Sequence, residues 1–390
     1  MFKVVLWDYT GESANWAKTF LKDDVKIIRT LRPDDPDQAD VIMRGDWNFV
    51  LIFEDGQREL FDEIFKTMRT MNRSTENIVF AKDFNDMLNN PAAVYALMKP
   101  ETCDQLYRHR NFFNHRSWHR YVSASAEGFH YIGTAADNVI MWSTYTRDKN
   151  FAADEIKLFL ALSKKYYGVD DSEGYFLDLG ANIGTTGIYF CKKLAPNLKL
   201  LAFEPDAENF KILRINTILN DMEDKVTLVN CGLGDKKDEM TLYRNLENPG
   251  GNRIFKLPSE LNLPPETIKI IPLDSYFAEN KIAAEDVKYI WIDTEGFEAQ
   301  TLLGAKNLLT KNPAPVYMEC NLRAWDNSGC FDDMLALLSK CYTHFILFSG
   351  GNATQNRNEK IYPLRALRTI ERPDNDLGQA GDIFLIRDNK

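Results

Sequence analysis

Long apolar runs are missing from this chain of 390 residues; the longest, at 92–98, extends seven residues, and those at 139–142 and 345–348 extend four. A helix that crosses a bilayer needs about 20, so membrane insertion is not expected. The opening, MFKVVLWDYTGE, reaches an acid at Asp8 and lacks the apolar stretch of a signal peptide, which argues against secretion. Cysteine is sparse. Cys103, Cys191, Cys231, Cys320, Cys330 and Cys341 are dispersed, with no CxxC pair and only His344 at close spacing, three residues after Cys341. That spacing excludes a disulfide framework and a zinc knuckle, and suits small buried thiols in a cytoplasmic protein. An excess of positive charge is also missing, with 47 Lys+Arg against 57 Asp+Glu and a net charge of −10. Proteins that hold nucleic-acid backbones need a basic surface, so nucleic acid is not an expected partner. Histidine is scarce too, and four of the five lie between Arg108 and His130. No acid or cysteine accompanies them at ligand spacing, so no metal site is assigned there.

What is present is the composition of an ordinary globular protein, 44% hydrophobic and 27% charged. The length suggests two or three domains. Residues 1–100 read as a small α/β domain. Strand candidates fall at 3–7, 25–28 and 78–81, with short apolar runs at 40–43 and 48–53 and helices at 12–21 and 58–71. This part carries no catalytic spacing, so docking, oligomerisation (a homo-oligomer) or substrate selection is its expected role. Residues 101–150 form a connector whose stretch 108–121 interleaves Arg108, Arg110, Arg116 and Arg120 with aromatic rings. Such a run either lies solvated on a helix or faces an anionic ligand. From 151 to 390, strands alternate with helical patterns, the signature of a parallel sheet with crossover helices. Seven strand candidates are 175–179, 199–203, 226–230, 289–293, 316–319, 345–348 and 383–386, with a long irregular insert at 245–265.

The strongest chemical signal is YFLDLGANIGTTG, residues 175–187, a buried strand that runs into a glycine-rich turn and at once into a helix. Gly180 and Gly184 permit close backbone approach, and a helix N-terminus with Asn182 beside it offers free N–H groups to a ligand. Asp178 within that turn would repel a pyrophosphate but suits an ammonium group. The next strand ends at Glu204, 24 residues beyond Gly180 (204 − 180), where an acid accepts hydrogen bonds from a ribose diol. The third strand ends in Asn230 and Cys231, at the rim where an adenine would lie. A ligand with an ammonium, a carboxylate, a ribose and an adenine but no phosphate is S-adenosylmethionine. A second signal is YIWIDTEGFE, residues 289–298, which brings Asp293 and Glu295 to the C-terminal end of a strand; Glu319 closes the following one. Ligands of open α/β sheets bind at that edge, so one of these carboxylates can take a proton from a hydroxyl while the others orient substrate.

The run from Asp178 to Gly184, then Glu204-Pro-Asp-Ala-Glu-Asn-Phe210 with Leu213 and Asn216, then residues 292–298 with Leu303-Gly304, resembles the FkbM family of methyltransferases. The resemblance covers roughly residues 150–350. It implies a class I Rossmann-like methyltransferase domain, a mostly parallel seven-stranded sheet, preceded here by the small N-terminal α/β domain. It also implies S-adenosylmethionine as methyl donor and a hydroxyl of a small molecule, sugar or polyketide as acceptor. The segments matching Asp178–Gly184 and Glu204 would serve the donor, and that matching Asp293–Glu298 would lie towards the reaction centre.

Three other readings compete. In an Mg²⁺-assisted methyltransferase, Asp293, Glu319 and Asn321 would supply oxygen ligands. A binding module would hold an adenosyl ligand without turnover. An NAD-dependent reductase would require G-x-G-x-x-G where this chain reads G-A-N-I-G-T-T-G; both Tyr-x-x-x-Lys matches, Tyr95–Lys99 and Tyr145–Lys149, precede the turn instead of following it.

Overall fold

The computed structural model describes residues 2–54, 61, 66, 68–69, 77–81, 90–116, 118–245, 248–255, 265–348, 360–371, 373 and 379–387. The chain divides into two compact units, Met1–Asn114 and His115–Lys390. No helix among the described residues is long and apolar enough to cross a membrane. None of the six cysteines is in a disulfide.

The first unit is built on four parallel strands, β1 (Lys3–Asp8), β2 (Lys26–Leu31), β3 (Phe49–Phe53) and β4 (Ile78–Phe80), in the order β2-β1-β3-β4. Alternate side chains of β1 and β3 point to opposite faces, as the two-residue period of a strand requires. Val4, Leu6 and Leu51 enter one apolar cluster, whereas Val5, Trp7 and Ile52 enter another. Burial on both faces explains the near-continuous hydrophobic runs of these strands. The apolar run at 40–43 lies within a helix, Gln38–Arg44, closed by Gly45 in the left-handed region at φ 70°. The helix expected at 58–71 lies largely outside the described residues.

The second unit begins with a hairpin, β5 (Tyr121–Ala126) and β6 (Phe129–Thr134), and continues through helices Ile140–Arg147 and Ala153–Tyr167. The central strands follow: β7 (Tyr175–Leu179), β8 (Lys199–Phe203), β9 (Val226–Val229), then β10 (Gly232–Leu233), β11 (Asp238–Leu242), β12 (Glu266–Ile271), β13 (Val287–Ile292) and β14 (Val316–Asn321). The last three are β15 (His344–Phe348), β16 (Ile361–Pro363) and β17 (Gln379–Ile386). Eight of these form one sheet, ordered β16-β15-β17-β14-β13-β7-β8-β9. The run β14-β13-β7-β8-β9 is parallel, while β17 is antiparallel to both β14 and β15. The sheet therefore has one strand more than the seven expected; the addition, β16, pairs antiparallel with β15 at the far edge. A separate three-stranded sheet, β10-β12-β11, flanks the insert at 245–265.

One face of the large sheet is aromatic. Phe159, from the helix Ala153–Tyr167, has ring contacts with Phe176, Tyr289, Trp291, Tyr317 and Phe384 at centroid separations of 5.7–6.5 Å. The intervening residues, among them Leu177, Leu179, Ile290, Ile292 and Met318, face an aliphatic cluster on the other side. With both faces sealed, the polar ends of the strands are left as the place for chemistry.

Residues 101–150 hold the helix Pro100–Arg116, the hairpin β5–β6 and the helix Ile140–Arg147. Arg108 pairs with Asp104 one helical turn back at 2.8 Å, and Arg120 forks onto both carboxylate oxygens of Glu208 at 2.9 and 2.7 Å. Those two cations are committed to neighbouring acids.

Candidate active site

Strand β7 delivers its last residues to a turn that only glycine can make. Gly180 has φ 95°, and a Cβ there would lie 1.8 Å from the carbonyl oxygen of Asp293. The closeness ties the ends of β7 and β13 together, with the Asp293 N–H donating to the Leu179 carbonyl at 2.9 Å. Asn182 sits at φ 48° and Gly184 at φ 90°, after which the helix Thr185–Tyr189 begins. Asp178 is fully buried beneath this turn, and its Oδ2 accepts the Gly187 N–H at 3.0 Å. Burial pushes its carboxyl up to about 7, against the lowering effect of that hydrogen bond.

Strand β8 delivers Glu204. Its two carboxylate oxygens accept the N–H groups of Asn182 (2.9 Å) and Asp206 (2.8 Å), which fixes it across the turn. Burial, with the Asp206 charge nearby, pushes it up to about 8. Asn230 donates its amide to the carbonyls of Glu204 (2.8 Å) and Pro205 (3.1 Å), so it braces the strand end. Cys231 follows, its thiol pushed up to about 12 by burial.

These elements surround a cavity of about 360 Å³ above the C-terminal ends of the strands. Of the sequence-derived donor residues, Gly180, Asn182, Glu204 and Cys231 lie in its wall; Asp178, Gly184 and Asn230 are not among its wall residues. Asp293, Glu295 and Glu319 all line the cavity, and one carboxylate oxygen of each lies within 4.8 Å of the others. Glu319 is gripped from both sides, by the Asn321 amide at 2.9 Å and the Gln379 amide at 2.8 Å. Burial, together with the charges of the neighbouring acids, holds Asp293 and Glu319 well above the usual carboxylate range.

Several further residues of the site lie outside the set assigned from the sequence. Arg253, from the insert, places its guanidinium 3.5 Å from Glu295 in the cavity wall. Glu298 is wholly buried and accepts the Gly296 N–H (2.9 Å) and the Trp325 indole N–H (2.8 Å), which fixes the turn bearing Glu295. Asn209 donates to the Pro249 carbonyl at 3.0 Å and so anchors the insert over the cavity. The acidic motif at 292–298 points to Glu298; nothing in the sequence pattern points to Arg253 or Gln379.

A parallel-centred α/β sheet with a ligand-sized cavity at its C-terminal edge, walled by a glycine turn and strand-end acids, defines the class. Residues 178–344 match the family model of the methyltransferase FkbM domain. The chain is similar to the methyltransferase sdnD of Sordaria araneosa, with 34% identity over 91 residues, 23% of this chain and 34% of that relative. It thus spans about a third of the length of the curated relative it matches. Among solved structures, methyltransferase FkbM from Methylobacillus flagellatus KT aligns over 98% of this chain and 90% of its own, at 13% identity and TM-score 0.35. The O-methyltransferase from Bacillus cereus in complex with SAH aligns over 60% of this chain and 81% of its own, at 12% identity and TM-score 0.34.

Proposed function

We propose that this chain is an S-adenosylmethionine-dependent O-methyltransferase of the class I type, acting in the cytoplasm on a hydroxyl of a small molecule. The observation that carries the reading is the convergence of Gly180, Asn182, Glu204 and the three acids on one cavity, in a chain whose residues 178–344 match the methyltransferase FkbM family model. The residues fit the donor. The wall has two buried oxygens without a hydrogen-bond partner, Asn182 Oδ1 and Asp293 Oδ1. Both are acceptors, as a ligand rich in ammonium and ribose hydroxyl donors requires.

When bound, S-adenosylmethionine supplies a methyl group on a sulfonium, which passes in line to the attacking oxygen and leaves its bonding pair on sulfur. The protein's part is orientation, worth up to about 7–11 kcal/mol, and acceptance of the hydroxyl proton, worth on the order of 10²–10⁴-fold. Glu204 holds the ribose diol, and the turn at Gly180 and Asn182 seats the amino-acid end. Asp293 takes the proton. Its raised affinity for protons falls when a cation sits beside it, so it is readied as a base by the positive charge of the bound donor. Glu319, immobilised by Asn321 and Gln379, orients the hydroxyl.

Conversion of S-adenosylmethionine to its demethylated product in the presence of hydroxylated acceptors tests the reading. Binding of the donor without turnover on any of them would instead identify an adenosyl-binding module.

A second reading is favoured by the same cluster. Asp293, Glu295 and Glu319 form an all-oxygen group that suits Mg²⁺, with Glu295 in the place expected for Asn321. Activity lost in EDTA and restored by Mg²⁺ would select the metal-assisted reaction; full activity in chelator would remove it.

A further inference from the structure

The insert over the first cavity supplies a cation that the chemistry above leaves without a role. We propose that Arg253 binds the carboxylate at the amino-acid end of the methyl donor, which makes the insert part of the donor site. The inference rests on S-adenosylmethionine being the ligand of that cavity.

Position comes first. Backbone hydrogen bonds of 2.7 and 3.0 Å tie Arg253 to Tyr243. The Asn209 amide holds the Pro249 carbonyl, and at Gly250 the backbone comes so near the glycine turn that a Cβ would lie 2.8 Å from the Asn182 amide nitrogen. Arg253 Nε donates to the Gly251 carbonyl at 3.2 Å, and the other end of the guanidinium lies 3.5 Å from Glu295. Glu295 belongs to the turn that follows β13, where the Asp293 carbonyl packs against Gly180. The guanidinium therefore stands at the β7–β13 end of the cavity. That is the end assigned to the amino-acid part of the donor, whereas Glu204 and Cys231 mark the ribose and adenine end.

Chemistry then selects the group. The amino-acid end of the donor is a zwitterion, and its carboxylate is the one anion on the ligand. Among the described residues of the cavity wall, Arg253 is the one cation; the other ionisable side chains are Glu204, Asp293, Glu295, Glu319 and the Cys231 thiol. The Asn209 and Gln379 amides are engaged with Pro249 and Glu319. The Arg253 side chain is only 10% exposed, so a carboxylate that reaches it leaves water and needs a charged partner to replace its hydration. A guanidinium has five N–H donors in a planar fork, enough to serve Glu295, the Gly251 carbonyl and a ligand carboxylate together. The ammonium of the same zwitterion finds an acceptor in Asn182 Oδ1, which is buried without a hydrogen-bond partner.

Titration calorimetry on the full chain tests this with two ligands, S-adenosylhomocysteine and its decarboxylated analogue, S-adenosyl-3-thiopropylamine. The analogue keeps the amine, thioether, ribose and adenine and lacks only the carboxylate. The native protein is expected to bind S-adenosylhomocysteine roughly tenfold or more tighter than the analogue. Arg253→Gln is expected to weaken S-adenosylhomocysteine by roughly tenfold and the analogue by less than about twofold, so that the preference collapses. Arg253→Lys keeps the charge and should retain part of the preference. Melting curves establish that the variants fold, and the preference of the native protein is a test that needs neither. Equal loss of both ligands in Arg253→Gln would overturn the assignment and leave Arg253 as a support of the turn at Glu295. A preference that persists in Arg253→Gln would overturn it too, and would place the carboxylate on the backbone N–H groups after Gly184. Equal affinity of the native protein for the two ligands would also overturn it. Failure to bind S-adenosylhomocysteine at all would instead overturn the donor reading, and this inference with it.

Discussion

Glu204 gives the most direct handle on the donor site, because its ionisation is coupled to its work. Only the carboxylate accepts two strong hydrogen bonds from a ribose diol, and burial holds this carboxyl up to about 8. The sign follows: below that value the side chain is protonated and donor binding must ionise it, so affinity rises with pH and levels off above it. With a titration at about 8, the ionised fraction grows from roughly 9% at pH 7 to roughly 91% at pH 9. Affinity for S-adenosylhomocysteine should therefore improve about tenfold across that window, near 1.4 kcal/mol. The neutral sulfur of this ligand removes the sulfonium's own effect on the neighbouring acids. Glu204→Gln cannot titrate, and subtracting its profile removes contributions from the ligand's amine and from Asp178. Calorimetry at half-unit intervals from pH 6.5 to 9 reads the result. An affinity that is flat or falls with pH in the native protein, or one whose rise persists in Glu204→Gln, would refute the ribose role.

Three further outcomes follow from the geometry. Asp293→Asn should lower the rate of methyl transfer by on the order of 10²–10⁴-fold while donor affinity changes much less; equal losses, measured by single turnover and calorimetry, would reassign Asp293 to donor binding. Gly180→Ala places a methyl on the Asp293 carbonyl at a left-handed φ of 95°, so it should cost about 3 kcal/mol or more and lower the melting temperature sharply. Glu298→Ala leaves the buried Gly296 N–H and Trp325 indole N–H without their acceptor, a loss of about 2–5 kcal/mol that denaturant titration would measure.

The strand ends were legible because buried parallel strands read as apolar runs, and an acid that closes such a run is conspicuous: Glu204 after KLLAF, Asp293 after YIWI, Glu319 after VYM. All three line the cavity. Asp178 carried the same signal for a different reason, since its carboxylate sits under the turn and accepts the Gly187 N–H. Periodicity distinguishes a buried acid from an exposed one but not a wall from the layer behind it. Strands β10, β11 and β12 escaped notice because they are short or half-exposed; in β12 only Ile268 and Ile270 are buried. Arg253 lies in an insert with no period to read, and Gln379 reaches Glu319 across 60 residues of sequence. Pairing at that range is a property of the folded sheet, where β14 and β17 lie side by side.

Titration of the purified chain with S-adenosylmethionine, S-adenosylhomocysteine and NAD by calorimetry bears most directly on the donor cavity. Micromolar binding of both adenosyl ligands, strongly weakened in Glu204→Ala, with no response to NAD, is the expected result. Tight binding of NAD with neither adenosyl ligand bound would contradict the assignment of the turn at Gly180 and Asn182, and with it the proposed chemistry.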